Sequence, residues 1–210
     1  MEIGSPSTSR PRGRPRQFDR DQAIVTALRM FKERGYEGTS IADLTKAIGV
    51  SPTSLYGVFP SKEALFEEAV ELYQRTEGAF AVATLDRADT AFDAIHDLLV
   101  EAATNYTRDD RAGGCFVALG MLSCGIEHQA IARRMAERRL AARDAIKARL
   151  DRGKKAGELR QETDTLLLAA FYAATVQGMS VQARDGCSEE ELNAIARTAL
   201  VPLDFCRTDH

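Results

Sequence analysis

Several things are missing from this chain of 210 residues, and each absence narrows what it can be. Its four cysteines, Cys115, Cys124, Cys187 and Cys206, lie far apart with no C-x-x-C pair. A zinc knuckle and a dithiol redox motif are thereby excluded, and reduced thiols in a cytoplasm are the plain expectation. Long hydrophobic runs are lacking too. The longest nearly unbroken one, Leu166 to Val176, is about half of the roughly 20 residues that cross a bilayer. No apolar segment follows a charged start, so neither a secretion signal nor membrane spanning is expected. No stretch alternates polar and apolar residues as a strand requires, and Gly and Pro fall between blocks of helical period. The whole chain therefore reads as helical, without internal repeats. Catalytic signatures are absent as well: there is no H-E-x-x-H, no phosphate-binding glycine loop and no G-x-S-x-G elbow. Asp93 and His96 form the only D/E-x-x-H pair, whereas a di-iron bundle needs two plus further carboxylates. A helical enzyme is thus a minor alternative, and neither a metal nor a cofactor is expected.

What is present is a globular balance, 44% hydrophobic and 28% charged, with an uneven distribution of charge. Residues 1–62 hold ten Lys or Arg against six Asp or Glu, while residues 63–210 hold eighteen against twenty-five. A basic front on an acidic body directs attention to the front as the part that meets a polyanion. Residues 1–17 are rich in Ser, Pro, Gly and Arg, with a single aliphatic residue, Ile3. Such a segment buries too little to offset its ordering entropy and is expected to be a flexible arm. Within it, Pro11-Arg12-Gly13-Arg14-Pro15 is the core of an AT-hook, in which two arginines flank a glycine in a narrow minor groove. Minor-groove contact by Arg12 and Arg14, or mere tethering by a basic tail, are the two readings.

The first helix is expected from Asp19, with Ile24, Ala27, Leu28 and Phe31 on one face and Gly35 as its stop. A second starts at Thr39 or Ser40, turns Ile41, Leu44 and Ile48 inward and stops at Gly49. Ser51 then caps a third, with Pro52 in its first turn, where the missing N–H costs nothing, and Leu55, Tyr56 and Phe59 following. Two short helices joined by a Gly-containing turn make a helix-turn-helix. A fourth helix follows Ser61 to about Glu77. Further helices are expected from Thr90 to Arg108, Glu127 to Arg152, Asp164 to Val181 and Ser188 to Phe205, with a loop at 109–114 and an apolar segment from Cys115 to Ile126. The basic stretch Arg133–Lys155, with Glu137 and Asp144 interleaved, is taken as a solvated face.

Gly35 to Phe66, GYEGTSIADLTKAIGVSPTSLYGVFPSKEALF, carries a specific resemblance. Its fixed residues follow the pattern G-[YF]-x-x-[TS]-[TS]-[IV], a helix, G-[VI]-[ST], L-Y-x-x-F and K-x-x-L-[FL]. Residues 18–66 resemble the N-terminal domain of the TetR family of bacterial transcriptional regulators. The fold class expected is all-α, with an N-terminal three-helix helix-turn-helix DNA-binding domain and a larger C-terminal helical ligand-binding and dimerisation domain. The arm is residues 1–17, the head 18–62 and the body 63–210.

From the residues themselves, Leu55 and Phe59 face the core and leave Pro52, Thr53, Ser54, Tyr56, Gly57 and Val58 for a DNA groove and its walls. Thr53 and Val58 suit a thymine methyl, and the hydroxyls of Thr53 and Ser54 suit a base or phosphate. The resemblance implies phosphate contacts by Tyr56, Lys62 and Thr39; boundary packing for Tyr56 and plain solvation for Lys62 remain open. Gly57 and Val58 stand where many family members carry larger side chains. Pairing into a homodimer on a partly palindromic stretch of double-stranded DNA is expected, with Leu166, Leu167, Ala170, Phe171, Ala174 and Gly178 as the interface on the penultimate helix. The resemblance also implies an unknown small-molecule effector. Tyr73, Phe92, His96, Tyr106, Phe116, Met121, Phe171, Tyr172 and Met179 are candidates to line its pocket, although most suit plain core. The function implied is that of a repressor released from its operator by that molecule. A ligand-independent architectural DNA protein is the alternative.

Overall fold

The computed structural model describes residues 18–108 and 113–208. The arm with Arg12 and Arg14, and most of the loop expected at 109–114, lie outside the described residues. Those described form helices, with a single isolated bridge between Leu159 and Arg207.

Helix α1 (Arg20–Arg34) is capped by Asp19, whose carboxylate accepts from the Gln22 amide at 3.0 Å. Its apolar stripe of Ile24, Ala27, Leu28 and Phe31 is buried. Gly35 closes it at φ +74 and ψ 174, outside the left-handed helical region expected, in a conformation that essentially only glycine adopts. Helix α2 (Ile41–Ile48) starts at Ser40, which forms a reciprocal capping box with Asp43. Gly49 ends it in the left-handed conformation. Helix α3 (Pro52–Tyr56) is capped by Ser51 and is shorter than the spacing predicts. The amides of Val58 and Phe59 both converge on the Leu55 carbonyl, at 3.1 and 2.9 Å, so the chain turns at Gly57 instead of continuing. Low helix propensity at Gly57, and the steric restriction Pro60 places on Phe59, account for the early stop.

Helix α4 (Lys62–Arg75) begins at Ser61 and packs along α1. A short α5 (Phe80–Arg87) follows that has no counterpart among the sequence expectations. It lacks a side-chain cap and is fixed from outside: Arg152 donates to the Leu85 carbonyl at 3.0 Å, and Arg149 to those of Ala88 and Asp89 at 3.3 and 3.1 Å. Then come α6 (Ala91–Thr107), α7 (Phe116–Leu119), a 3-10 turn (Ile126–His128), α8 (Gln129–Ala156), α9 (Thr165–Arg184) and α10 (Glu189–Phe205). Asp164 caps α9, and Ser188 with Glu191 forms the capping box of α10.

Two apolar clusters organise the molecule. One joins α5, α6, α8, α9 and α10. The other fills the head, takes in α4 down to Tyr73, and reaches into the body through Phe116, Met121, Ile131 and Met135. The head core and the α7–α8 region of the body thus share one packed cluster. Helix α9 spans 20 residues and by length and composition is apolar enough to cross a membrane, more than its unbroken apolar run suggested. Here one side of it packs on α6, α8 and α10.

Candidate nucleic-acid interface

Helix α3 carries the surface that could meet DNA. Leu55 and Phe59, each 1% exposed, anchor it in the head core. Phe59 is further boxed in by the Phe18 ring at 6.1 Å and by the Arg20 guanidinium 5.3 Å above it. The opposite side presents Pro52, Thr53, Ser54, Tyr56 and Gly57 to solvent, all exposed, with Val58 at their edge. Tyr56 is 47% exposed. Ser54 is partly occupied, its hydroxyl 2.9 Å from that of Ser51. The sequence-derived surface on α3 is thus brought together on one face.

Lys62 is half-buried. Its ammonium sits 4.2 Å from the centre of the Tyr36 ring, and burial lowers its pKa, opposed by nearby Glu37. Thr39 departs from expectation. It is completely buried, and its hydroxyl donates to the Gly35 carbonyl at 2.8 Å, with the Met30 carbonyl at 3.4 Å. The side chain locks the α1–α2 turn and cannot reach a phosphate. Ser40 occupies the exposed N-terminal position of α2 instead.

The body holds a cavity of about 270 Å3, bounded by α4, α5, α6, α7, α8 and α9. Of the residues proposed for it, Tyr73 and Tyr106 line it; burial raises both phenol pKa values, with Cys115 adjacent to each. The others lie elsewhere. His96 is exposed, with Nδ1 3.1 Å from Asp97, because its position on α6 points away from the core. Phe116 packs edge-on to Phe66 and Tyr73, and Met121 joins the same head cluster. Tyr172 is fully buried and donates to the Ala199 carbonyl at 3.0 Å, joining α9 to α10. Phe171 is on the outside at 40% exposure, Phe92 stacks under Arg207, and Met179 belongs to the body core.

Several wall residues were missed: Gln74, Phe80, Arg138, Arg139 and Gln177. The arginines sit in the stretch taken as a solvated face, yet Arg139 is half-buried and donates to the Val117 and Gly120 carbonyls at 3.1 and 3.0 Å. Burial lowers its pKa. Arg138 pairs with Glu67 at 2.9 Å and bonds Gln74, and Arg134 pairs with Glu67 at 2.6 Å and with Glu63. No composition signal marks these residues; Arg138 is placed by Glu67 and Gln74 of α4, and Arg139 by the carbonyls around α7.

On α9, Leu166, Leu167, Ala170, Phe171, Ala174 and Gly178 are all exposed, with Leu166 at 54% and Leu167 at 66%. Val201 and Phe205 add exposed apolar surface on α10, at 51% and 74%. These residues form no part of the core of the single chain.

Similarity to known proteins agrees with this layout. Residues 23–69 match the family described as bacterial regulatory proteins, tetR family, and residues 92–199 match the tetracyclin repressor-like C-terminal domain. The HTH-type transcriptional repressor ComR of Escherichia coli is 34% identical over 90% of this chain and 90% of its own length. The repressor BdcR of the same organism is 33% identical over 91% and 92%. Among solved structures, a cysteine mutant of the TetR family regulator CifR, complexed with 26-base-pair operator DNA, is 40% identical and superposes with a TM-score of 0.85, covering 89% of this chain and 98% of that one. On the head motif, the body domain and the near full-length relatives together, the chain belongs to the TetR family of bacterial transcriptional regulators.

Proposed function

We propose that this protein is a homodimeric transcriptional repressor that binds a partly palindromic DNA operator and releases it when a small molecule occupies the body cavity. The observation that carries the DNA-binding part is the outward face of α3, with Pro52, Thr53, Tyr56 and Gly57 exposed while Leu55 and Phe59 lock the helix from behind. In the major groove, the short side chains at the start of α3 meet base edges, and Tyr56 and Lys62 lie to the side where phosphates run. The two curated relatives are named as repressors, and the CifR complex holds operator DNA, which supports the direction of regulation.

One head of this size makes too few contacts for selectivity, so two are required. The apolar strip on α9, continued by Val201 and Phe205 on α10, supplies the means of pairing. A strip of this kind on a soluble surface marks an interaction site, and two-fold pairing applies it to itself.

The cavity supplies the switch. Its size suits a small, mainly apolar molecule with a few polar groups. Tyr73 and Gln74 belong to α4 and Arg138 to α8, so an occupant touches both sides of the Glu67 ion pairs. A ligand that prefers the arrangement with the heads wrongly spaced shifts the equilibrium away from DNA. The architectural alternative has no use for this cavity. The test is selection of duplex DNA from a random pool with the full chain. A partial palindrome with half-sites about one helical turn apart supports the proposal; recovery of a single half-site, or of no preferred sequence, refutes it.

A further inference from the structure

Resting on the reading of the body cavity as an effector site, we infer that it takes a small monocarboxylate with an apolar tail, whose carboxylate is held by Arg139. The sign of the charge follows from the wall. Arg138 and Arg139 both line the cavity, and no Asp or Glu stands among its described lining residues. Arg138 is already neutralised. It pairs with Glu67 at 2.9 Å, and with Arg134 and Glu63 the network holds two positive and two negative charges. Arg139 has no ion-pair partner among the described residues, and both of its hydrogen bonds go to neutral carbonyls, those of Val117 and Gly120. One positive charge is left over, half-buried beside an apolar space.

Both carbonyls are served by Nη1 of Arg139, at 3.1 and 3.0 Å. Its Nε and Nη2 make no hydrogen bond among the described residues, and that edge of a guanidinium is spaced to receive both oxygens of a carboxylate. Burial of a charge without a countercharge is costly, and burial accordingly lowers the pKa of Arg139. An anion in the cavity offsets that cost where the surrounding dielectric is low and attraction is strong. A single unmatched charge suits a carboxylate, singly ionised near neutrality, better than a phosphate that carries nearly two charges.

The rest of the wall describes the rest of the ligand. Cys115 is the common neighbour of Tyr73, Tyr106 and Arg139, so the polar groups gather around it. Burial keeps both phenols protonated, so they remain hydrogen-bond donors and add no negative charge. Phe80, Leu85, Leu98, Ala145, Ile146 and Val176 supply apolar wall, with the Phe80 ring edge-on to Tyr106 at 5.9 Å. A volume of about 270 Å3 is at the small end of ligand sites, which calls for a short tail.

The experiment titrates octanoate, octanol and octylamine into the full chain by calorimetry, and repeats the titrations with R139Q, R139K and R138Q. The three probes share a tail and differ in charge. The parent is expected to bind octanoate about ten- to a hundredfold more tightly than octanol, the scale of a hydrogen bond to a charged group, and octylamine more weakly than either. R139Q is expected to bind octanoate and octanol alike, whereas R139K keeps the charge and part of the preference. Absence of octanoate binding, or equal binding of octanoate and octanol by the parent, overturns the inference. So does an R139Q that retains the preference, an R138Q that alone removes it, or an R139Q that weakens both probes equally, as a merely structural arginine would. If R139Q does not fold, the Nε–H resonance of Arg139 in the parent decides: a shift with octanoate and none with octanol supports the site, and an unmoved resonance overturns it. Operator release is read separately in the presence of octanoate. Binding that depends on Arg139 but leaves the operator bound upholds the site and overturns the cavity's use as a switch.

Discussion

Leu55 and Tyr56 are neighbours in opposite environments, one 1% and the other 47% exposed. Replacing Leu55 with Ala leaves a void in the head core and is expected to cost about 2–5 kcal/mol in denaturant unfolding. Tyr56→Ala is expected to change stability by no more than about 0.5 kcal/mol, yet to weaken operator binding markedly; a large stability loss with unchanged binding would show that Tyr56 is a packing residue. Thr39 makes the complementary case. Because its hydroxyl is spent on the Gly35 carbonyl, Thr39→Val is expected to cost about 1 kcal/mol of stability with little change in the salt dependence of DNA binding. These residues also show the limit of reading a sequence. The i, i+4 spacing of Leu55 and Phe59 made the buried side of α3 legible. Nothing in the sequence said that Thr39 turns inward, since its neighbour Ser40 is chemically as good a cap.

At the scale of elements, helix starts were the most legible features, because a cap is a local bond between residues three apart. Asp19, Ser51, Ser61, Thr90, Asp164 and Ser188 all cap as their positions predict. Helix α5 escaped because its order comes from Arg149 and Arg152, distant in sequence. The cavity wall was obscure for the same reason, as six elements assemble it. Hydrogen bonds within the two capping boxes lower the pKa values of Asp43 and Glu191 from their ordinary 3.8 and 4.5. A depressed folded-state pKa gives stability that is complete above the ordinary value and disappears as pH falls through the folded one. The stability difference between the parent and D43N is therefore expected to be constant near neutrality and to shrink below about pH 4, measured by denaturant titration at a series of pH values; a difference that grows on acidification contradicts this. A second element-level link joins body to head: the Gly125 amide donates to Glu37 at 2.8 Å, beside the Tyr36–His128 ring contact. Glu37→Ala is expected to speed hydrogen exchange at the Gly125 amide while α1 and α4 keep their protection.

For the whole molecule, the proposed dimer makes the spacing of two heads matter more than either head alone, and under that proposal α9 and α10 set the spacing. Paired charges in the middle of the α9 strip are expected to separate the chains, since burying an unpaired carboxylate in an apolar contact is strongly unfavourable. L167E/F171E should therefore sediment as one folded chain, its helical content unchanged because both residues lie outside the core. The overall architecture was legible from periodicity and from the head motif, and so was the apolar strip of α9; its continuation by Val201 and Phe205 on α10 was not, because only packing decides which apolar residues of a helix stay exposed. The most direct test is the mass of the protein–operator complex by sedimentation equilibrium, for the parent and for L167E/F171E on the same selected palindrome. The account predicts two parent chains per site and a much weaker complex for the variant. A single parent chain bound at full affinity, or a variant that binds as tightly as the parent, would contradict it.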